Sequence, residues 1–323
     1  MALFARTKEG LLRSVLDLKF GLPSHDTFSR VFRLLDPKAF DKAFRGFMKA
    51  FSAHLKLQRT KGVVAIDGKA LRCAYERGRS HMPALMVTAW GAQTRMALAN
   101  VLAQDGGEAA AALAVIGLLQ LKDCVVTTDA LHCRRDTAAA ILARKGDYVL
   151  AVKDNQPKLL AAAKAATAAA RRKRGKRSAP RKEHSHGRKE SRMAVVASAE
   201  AMARELDFPG LQAFAMIRSK RAEDKTVERY YLLSRHFRPT QLLSIVREHW
   251  GIENRLHWTL DVVLDEDGAR NRKDNAPANL AILRRLALNI ARAHPDQKTS
   301  MRGKLKRAGW DESFMFDLLA NMR

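Results

Sequence analysis

Short apolar runs alternate with helically spaced apolar positions through the first half of the chain. Each run is rich in β-branched or other apolar side chains, which is typical of buried strands. The runs are residues 63–66, 124–128 and 147–152. Two further adjacent strands are predicted within 84–103, and helices at about 108–120 and 134–144. Strands and helices in this order indicate an α/β core.

The same pattern divides the chain into five predicted regions. Residues 1–56 have a basic, aromatic-containing helical pattern and form a helical N-terminal region. Residues 57–160 form the first part of the core, and residues 161–192 form a basic, low-complexity linker that ends as RRKRGKRSAPRK. Residues 193–236 form a β-rich insertion. Residues 237–323 form a helical C-terminal part of the core.

A helix is predicted in the segment REHWGIENRLHWTLDVVLDED. Its apolar stripe consists of Ile252, Leu256, Leu260 and Val263. Glu253 therefore lies on another face, at four-residue steps from His257 and Asp261.

Three acids stand out by their positions. Asp67 and Asp129 each follow a short apolar strand, where α/β sheets present ligands, and Glu253 lies on the predicted helix. Phosphoryl transfer by metal ions needs several carboxylates that converge on hard cations. Two such ions, about 4 Å apart, activate the attacking oxygen and stabilise the leaving oxygen. A lone aspartate at a strand end is more often a turn or cap residue, so it is the joint pattern of three acids that favours a metal site.

Other metal and nucleotide sites fit the sequence less well. His249, Glu253 and His257 share a helix face, and such residues can bind zinc. Eight helical residues rise about 12 Å, however, so both histidines cannot reach one ion together with the glutamate. The zinc-protease spacing H-E-x-x-H and the phosphate-binding loop G-x-x-x-x-G-K-[ST] are absent from the sequence.

The charge of the chain favours a polyanionic partner. Lysine and arginine total 59 against 33 acidic residues, which gives a formal net charge of +26. Nucleic acid is the commonest such partner, because each neutralised phosphate releases a counterion. No long uncharged apolar run is present to span a membrane. The three cysteines form no C-x-x-C pair, which indicates a reducing compartment such as the cytoplasm, without structural disulfides.

Ordered blocks of the sequence resemble the H-repeat-associated branch of insertion-sequence transposases, within the DDE (acid-triad) class. GLPSHDTFSRVFRLLDP is similar to the amino-terminal associated region of that family. VVAIDGKALR and VVTTDALHCRRDTAAAIL are similar to the blocks that carry its two aspartates. EHSHGRKESR is similar to its H-G-R-x-E-x-R segment. REHWGIENRLHWTLDVVLDEDGARNRKDNAPANLAILRRLALNIAR is similar to the long carboxyl-terminal block, the most specific of the five.

The resemblance implies a fold, a reaction and a catalytic triad. The fold is an RNase H-like mixed-sheet core with flanking helices and a β-rich insertion before the glutamate. Asp67, Asp129 and Glu253 are implied as catalytic residues that hold two Mg²⁺ ions, with Mn²⁺ as a substitute. The implied substrates are double-stranded DNA at the terminal inverted repeats of the element, and target DNA. We also expect a homodimer on DNA, at the nucleoid, and no membrane partner.

The chain departs from the wider DDE pattern at several positions. Related transposases carry a tyrosine and an arginine before the glutamate and a lysine after it. Val246, His249 and Leu260 stand at those positions, so the roles are not transferred. The stretch around Glu108 is less polar than in the family. Family members usually have more helical sequence before the GLPSHDTF block, so a chain shortened at its N-terminus is one alternative.

Several residues near the predicted site are candidates for DNA contact. Each candidate segment also has an interpretation without DNA contact. The segment after residue 152 could be an ordinary polar loop, and the segment near residue 188 a solvated hairpin or linker. Trp250 and Trp258 could stack on an unpaired base, but packing in the core is the favoured interpretation for both. The acidic run after Asp261 is predicted to be a solvated helix end. The candidates for DNA contact are Lys153, Asn155, His186, Arg188, Arg192, His249, Asn254 and Arg255.

Three functions remain open from the sequence. The first is a metal-dependent transposase that cleaves and joins DNA. The second is an inactive or truncated transposase that only binds DNA. The third is an RNase H-like nuclease, which cleaves without joining.

Overall fold

The computed structural model describes residues 1–54, 62–74, 84–103, 107–173, 176–185, 188–221, 226–296 and 298–320. These residues form one sheet with helices on both faces. The strands are β1 (Gly62–Ala70), β2 (Leu85–Gly91), β3 (Met96–Leu102), β4 (Cys124–Thr128), β5 (Asp147–Val152), β6 (Arg181–Ser185), β7 (Arg188–Ser198), β8 (Ala213–Arg221) and β9 (Val227–Leu233). Their order in the sheet is β3-β2-β1-β4-β5-β9-β8-β7-β6.

The helices lie before, between and after these strands. The N-terminal helices are α1 (Ala2–Thr7), α2 (Glu9–Val15), α3 (His25–Leu34) and α4 (Pro37–His54). The helices between strands are α5 (Gly107–Gly117), α6 (Arg135–Ala143), α7 (Pro157–Arg171) and α8 (Glu200–Leu206). The C-terminal helices are α9 (Pro239–His249), α10 (Trp258–Val262), α11 (Ala276–Ala293), α12 (Met301–Trp310) and α13 (Glu312–Ala320). A π-helical turn, Ile252–His257, lies between α9 and α10.

The first five strands form the mixed sheet predicted from the sequence. β1, β4 and β5 are parallel, and β2 and β3 pair antiparallel at the side of β1. Helices α5, α6 and α7 pack on one face through a core that includes Ile66 and Ile141. Helix α9 and the π-helical turn pack on the other face against Val63 and Ala65. This three-layer arrangement confirms the predicted α/β fold class, a mixed-sheet core with flanking helices.

The N-terminal helices are tied to the C-terminal part of the chain. The side-chain amide of Asn279 on α11 donates hydrogen bonds of 2.8 Å to the backbone oxygens of Phe32 and Leu35. Arg33 forms an ion pair with Asp274, at 2.6 Å. Helices α3 and α4 therefore pack on α11.

The middle of the chain is more regular than its composition suggests. Residues 161–192, interpreted above as a linker, contain most of α7, all of β6 and the start of β7. The alanine-rich half continues a helix because alanine has the highest helix propensity. The strands within 193–236 continue the core sheet through the antiparallel pairing of β5 with β9, and α8 interrupts them. The insertion thus enlarges the existing sheet.

Among the described residues, no helix is both long enough and apolar enough to cross a lipid bilayer.

Candidate metal centre

Asp67 lies in the middle of the sheet, at the point where strand pairing changes. The parallel pairing of β1 with β4 ends at Ile66 and Thr128, whereas β1 continues to pair with β2 through Ala70. The sequence predicted that the strand ends at Asp67, and that boundary is wrong because β2 supplies a partner for the next residues. Asp67 still lies just past the end of the parallel pairing, and 14% of its side chain is exposed.

Asp129 follows the last residue of the neighbouring strand β4. Its Oδ1 accepts a hydrogen bond of 3.1 Å from the backbone N–H of Leu131 and so caps a short 3-10 turn. The amide of Asn155 donates to the carbonyl of Ala130 at 2.8 Å, and that of Gln156 to the carbonyl of Cys133 at 3.0 Å. The loop after β5 thereby fixes the loop that carries Asp129.

Glu253 is the second residue of the π-helical turn. The sequence predicted a regular helix here, but the backbone forms a wider turn, of a kind that frequently marks functional sites. Ile252 and Leu256 are buried, as their apolar stripe predicted, while half of the Glu253 side chain is exposed. The turn can approach the sheet because residue 251 is glycine. A Cβ at that position would lie 2.5 Å from the buried ring of Trp90.

The structure brings carboxylate oxygens of Asp67 and Glu253 within 4.8 Å of each other. Burial raises the pKa of Asp67 to about 8, and the hydrogen bond and charge of Glu253 and the charge of Asp129 add to this effect. The hydrogen bonds from His257 and Asp67 lower the pKa of Glu253 to about 2. The two carboxyl groups therefore hold one proton between them at neutral pH. A divalent cation is the natural replacement for that proton, because carboxylate oxygens are the ligands that hard cations prefer.

One ligand atom each from Asp67, Glu253 and His257 lie within 4.8 Å of one another. The Nδ1 atom of His257 is 3.5 Å from Glu253 Oε2 and 3.7 Å from Asp67 Oδ2. Asp129 is outside this set but close enough for its charge to act on Asp67. His249 is also outside the set, in agreement with the sequence argument that both histidines cannot share one ion with Glu253. The prediction from the sequence did not include His257 among the metal ligands, although its four-residue step from Glu253 places both side chains on one face of the helix.

His249 is a neutral side chain packed behind the acids. Its Nδ1 lies 3.0 Å from the hydroxyl of Thr127, on β4. Burial lowers its pKa to about 4, although the charges of Asp129 and Glu253 act in the opposite direction. A neutral imidazole in this position supplies no charge to a DNA phosphate.

The carboxylate of Glu108 lies behind Asp67, on the other face of the sheet. Oε1 of Glu108 lies 3.3 Å from Nε2 of the buried His132, which is in turn 3.9 Å from Asp129 Oδ1. A Cβ at Gly68 would lie 2.2 Å from the same Glu108 oxygen. The absence of a side chain at residue 68 thus gives room for a carboxylate beside the strand that carries Asp67.

Three acids of the run after the π-helical turn, Asp261, Glu266 and Asp267, form an ion-pair network, and the prediction of a solvated helix end is wrong for the buried Glu266. Lys69 is buried, with its Nζ 2.7 Å from Asp261 and 2.7 Å from Asp267. Glu266 is 2% exposed and pairs with the fully buried Arg285 at 2.8 Å. Since Lys69 and Asp67 lie two residues apart on one face of β1, the network links that strand to the segment that follows Glu253.

The remaining candidates for DNA contact occupy several parts of the surface. Lys153, Asn254 and Arg255 are exposed. Arg192 on β7 pairs with Glu190 at 2.9 Å. Arg188 is the first residue of β7, and His186 lies outside the described residues.

Two tryptophans on either side of Glu253 are exposed. Trp250 is 41% exposed and Trp258 is 56% exposed. Arg229 lies 5.6 Å from the Trp250 ring. The sequence favoured core packing for both, and the structure contradicts that prediction because the π-helical turn directs its apolar stripe, and not these indoles, to the sheet.

Comparison with known proteins identifies the family. A model of the transposase DDE domain matches residues 58–290, and a model of the DDE_Tnp_1-associated region matches residues 1–48. Among solved structures, the synaptic complex of piggyBac transposase with hairpin DNA is similar at 15% identity with a TM-score of 0.46, over 98% of this chain and 67% of that chain.

Curated relatives agree with the family models. "Putative transposase YncI" of Escherichia coli O157:H7 is 33% identical over 322 residues, or 96% of this chain and 81% of that protein. "H repeat-associated putative transposase YhhI" of Escherichia coli K12 is 29% identical over 335 residues, or 98% and 86%. The resemblance stated from the sequence is confirmed. The chain belongs to the transposase DDE-domain family.

Proposed function

We propose that this protein is a DNA transposase that cleaves and joins DNA strands at the ends of an insertion sequence in a metal-dependent reaction. The observation that carries the proposal is the approach of the carboxyl groups of Asp67 and Glu253 to within 4.8 Å, with Asp129 at the end of the adjacent parallel strand. The family and the curated relatives support the same reaction class.

Asp67, Asp129 and Glu253 are the residues proposed to hold the metal. When bound, two Mg²⁺ or Mn²⁺ ions supply activation of the attacking oxygen and stabilisation of the leaving oxygen. The protein orients the carboxylates through the sheet and the π-helical turn, and it positions the phosphodiester beside them. Positioning and charge account for most of the catalysis in reactions of this kind.

The proposed substrate is double-stranded DNA, at the terminal inverted repeats and at the target. The net charge of +26 supports capture of a polyanion. Lys153 and Arg255 are exposed cations of the candidate set. We propose a homodimer on DNA, so that two element ends are held together, and a cytoplasmic location at the nucleoid.

The test uses a duplex that carries one end of the element, cut from the genomic sequence that flanks the gene. With Mg²⁺ or Mn²⁺, the wild-type chain should nick this duplex, and Asp67→Asn, Asp129→Asn and Glu253→Gln should each lower the rate by at least about 100-fold while binding remains. Asp154→Asn is the matched control, because Asp154 is an exposed acid on the loop after β5. Normal cleavage by Glu253→Gln would refute the triad.

A pre-cut end distinguishes the alternatives. Joining of its 3′-hydroxyl to a target plasmid supports a transposase. Cleavage without joining indicates a nuclease, and binding without either reaction indicates an inactive DNA-binding protein; both results contradict the proposal.

A further inference from the structure

His257 is a buried histidine that faces these two acids. It is the last residue of the π-helical turn and is 6% exposed. Its Nδ1 lies 3.5 Å from Glu253 Oε2 and 3.7 Å from Asp67 Oδ2. Its Nε2 has no hydrogen-bond partner among the described residues. The imidazole is therefore oriented toward the acids by packing and by the contact of Nδ1 alone.

The distances suit one small cation. Ligands that bind an ion at about 2.1 Å lie no more than about 4.2 Å apart. The ligand atoms of Asp67, Glu253 and His257 already lie within 4.8 Å of one another. Binding therefore requires only a small approach of these ligand atoms toward one another.

We propose that His257 is a nitrogen ligand of one of the two metal ions, together with Asp67 and Glu253. This inference rests on the proposed function and deepens its site. The π-helical turn provides the geometry, since it places Glu253 and His257 on the side that faces β1. His249 does not compete for this role, because its Nδ1 is 3.0 Å from the Thr127 hydroxyl and the residue is outside the ligand cluster.

A nitrogen ligand changes the metal preference of the site. Imidazole suits transition metals, whereas an all-oxygen site suits Mg²⁺. We therefore expect the metal site that contains His257 to bind Mn²⁺ more tightly than Mg²⁺. Loss of the imidazole should weaken Mn²⁺ binding by at least about 10-fold, since even partners of metal ligands contribute 10–100-fold.

The test is pulsed electron paramagnetic resonance on the tag-free full chain with less than one equivalent of Mn²⁺. The wild type should show modulation of the Mn²⁺ spin echo by a ¹⁴N nucleus. In protein labelled with [¹⁵N]histidine, a ¹⁵N coupling should replace that signal. His257→Gln should lose the nitrogen coupling, and the matched control His249→Gln should retain it. Isothermal titration should show the weaker Mn²⁺ binding in His257→Gln only.

Each other outcome overturns the inference. Bound Mn²⁺ without nitrogen coupling in the wild type excludes a histidine ligand, and this measurement needs no variant to fold. A coupling that persists in His257→Gln assigns the nitrogen to another residue. A wild type that cleaves DNA without nitrogen coupling refutes the role of His257 and leaves the proposed function intact. A wild type that neither binds Mn²⁺ nor cleaves DNA refutes both.

Discussion

Carboxylate oxygens of Asp67 and Glu253 lie within 4.8 Å of each other, although Asp67 belongs to β1 and Glu253 to the π-helical turn, 186 residues later in the sequence. Burial and the neighbouring negative charges raise the pKa of Asp67 to about 8 from its ordinary value of 3.8. The folded state therefore binds a proton at Asp67 that the unfolded state has released above about pH 4. Stability from this group is present below that pH and is lost as the pH rises through about 8.

We predict that Asp67→Asn stabilises the metal-free protein at pH 9, less so at pH 5, and hardly at all at pH 3. The amide cannot ionise in either state, so it removes the free-energy cost that builds up between about pH 4, where the unfolded state releases its proton, and about pH 8. The gain in the free energy of unfolding at pH 9 should be at least ~1 kcal/mol. Urea unfolding in the presence of a chelator measures it, with Asp154→Asn as the control. A loss of stability at pH 9 would contradict the assigned pKa shift.

Gly251→Ala should lower both stability and activity. The new Cβ would lie 2.5 Å from the ring of Trp90, which is fully buried and cannot move aside easily. Overpacking of this kind costs about 1–3 kcal/mol, and it pushes the π-helical turn away from β1. Thermal unfolding and the nicking assay measure the two effects. Gly46→Ala, in an open part of α4, is the control and should be neutral or slightly stabilising.

Lys69→Met should be destabilising. It removes the buried cation 2.7 Å from both Asp261 and Asp267, and it leaves these two partly exposed acids with fewer partners. Because the acids keep some contact with solvent, the loss should be about 1–3 kcal/mol, below the cost of breaking a fully buried pair. The matched control is Arg72→Met, because Arg72 is 76% exposed and 3.4 Å from the same Asp267. Its effect should stay below about 1 kcal/mol. Equal losses in urea unfolding would show that the network around Lys69 is not buried.

Trp258→Ala should leave the stability of the protein nearly unchanged and weaken its binding to DNA with unpaired bases. The indole is 56% exposed beside Glu253, so little packing is lost. Stacking on a base contributes about 1–3 kcal/mol. Fluorescence anisotropy with a frayed-end duplex measures affinity, and Trp310→Ala, exposed on α12, is the control. Unchanged affinity would leave Trp258 without a role in base contact.

The sequence predicted the sheet well because its strands are apolar runs of the required length. Each of β1, β4 and β5 is a hydrophobic segment that can be buried only between two helical layers. The fold class and the family followed from these runs and from the blocks around Asp67, Asp129 and Glu253.

The sequence did not predict features that depend on distant partners. The extension of β1 beyond Asp67 depends on β2, and the burial of Glu266 depends on Arg285. Neither pair can be recognised from local periodicity. The π-helical turn could not be predicted from the sequence for a related reason. An extra residue in one turn leaves the apolar stripe almost unchanged, but it changes which polar side chains reach the sheet.

The order of the metal-centre residues along the chain has a consequence during synthesis. Asp67 and Asp129 leave the ribosome well before Glu253 and His257, and β9 and α9 must be translated before the π-helical turn can dock on the sheet. A nascent or prematurely terminated chain that stops short of residue 252 thus carries Asp67 and Asp129 without Glu253 and His257. The proposed metal centre can therefore be completed only after residue 257 has been translated.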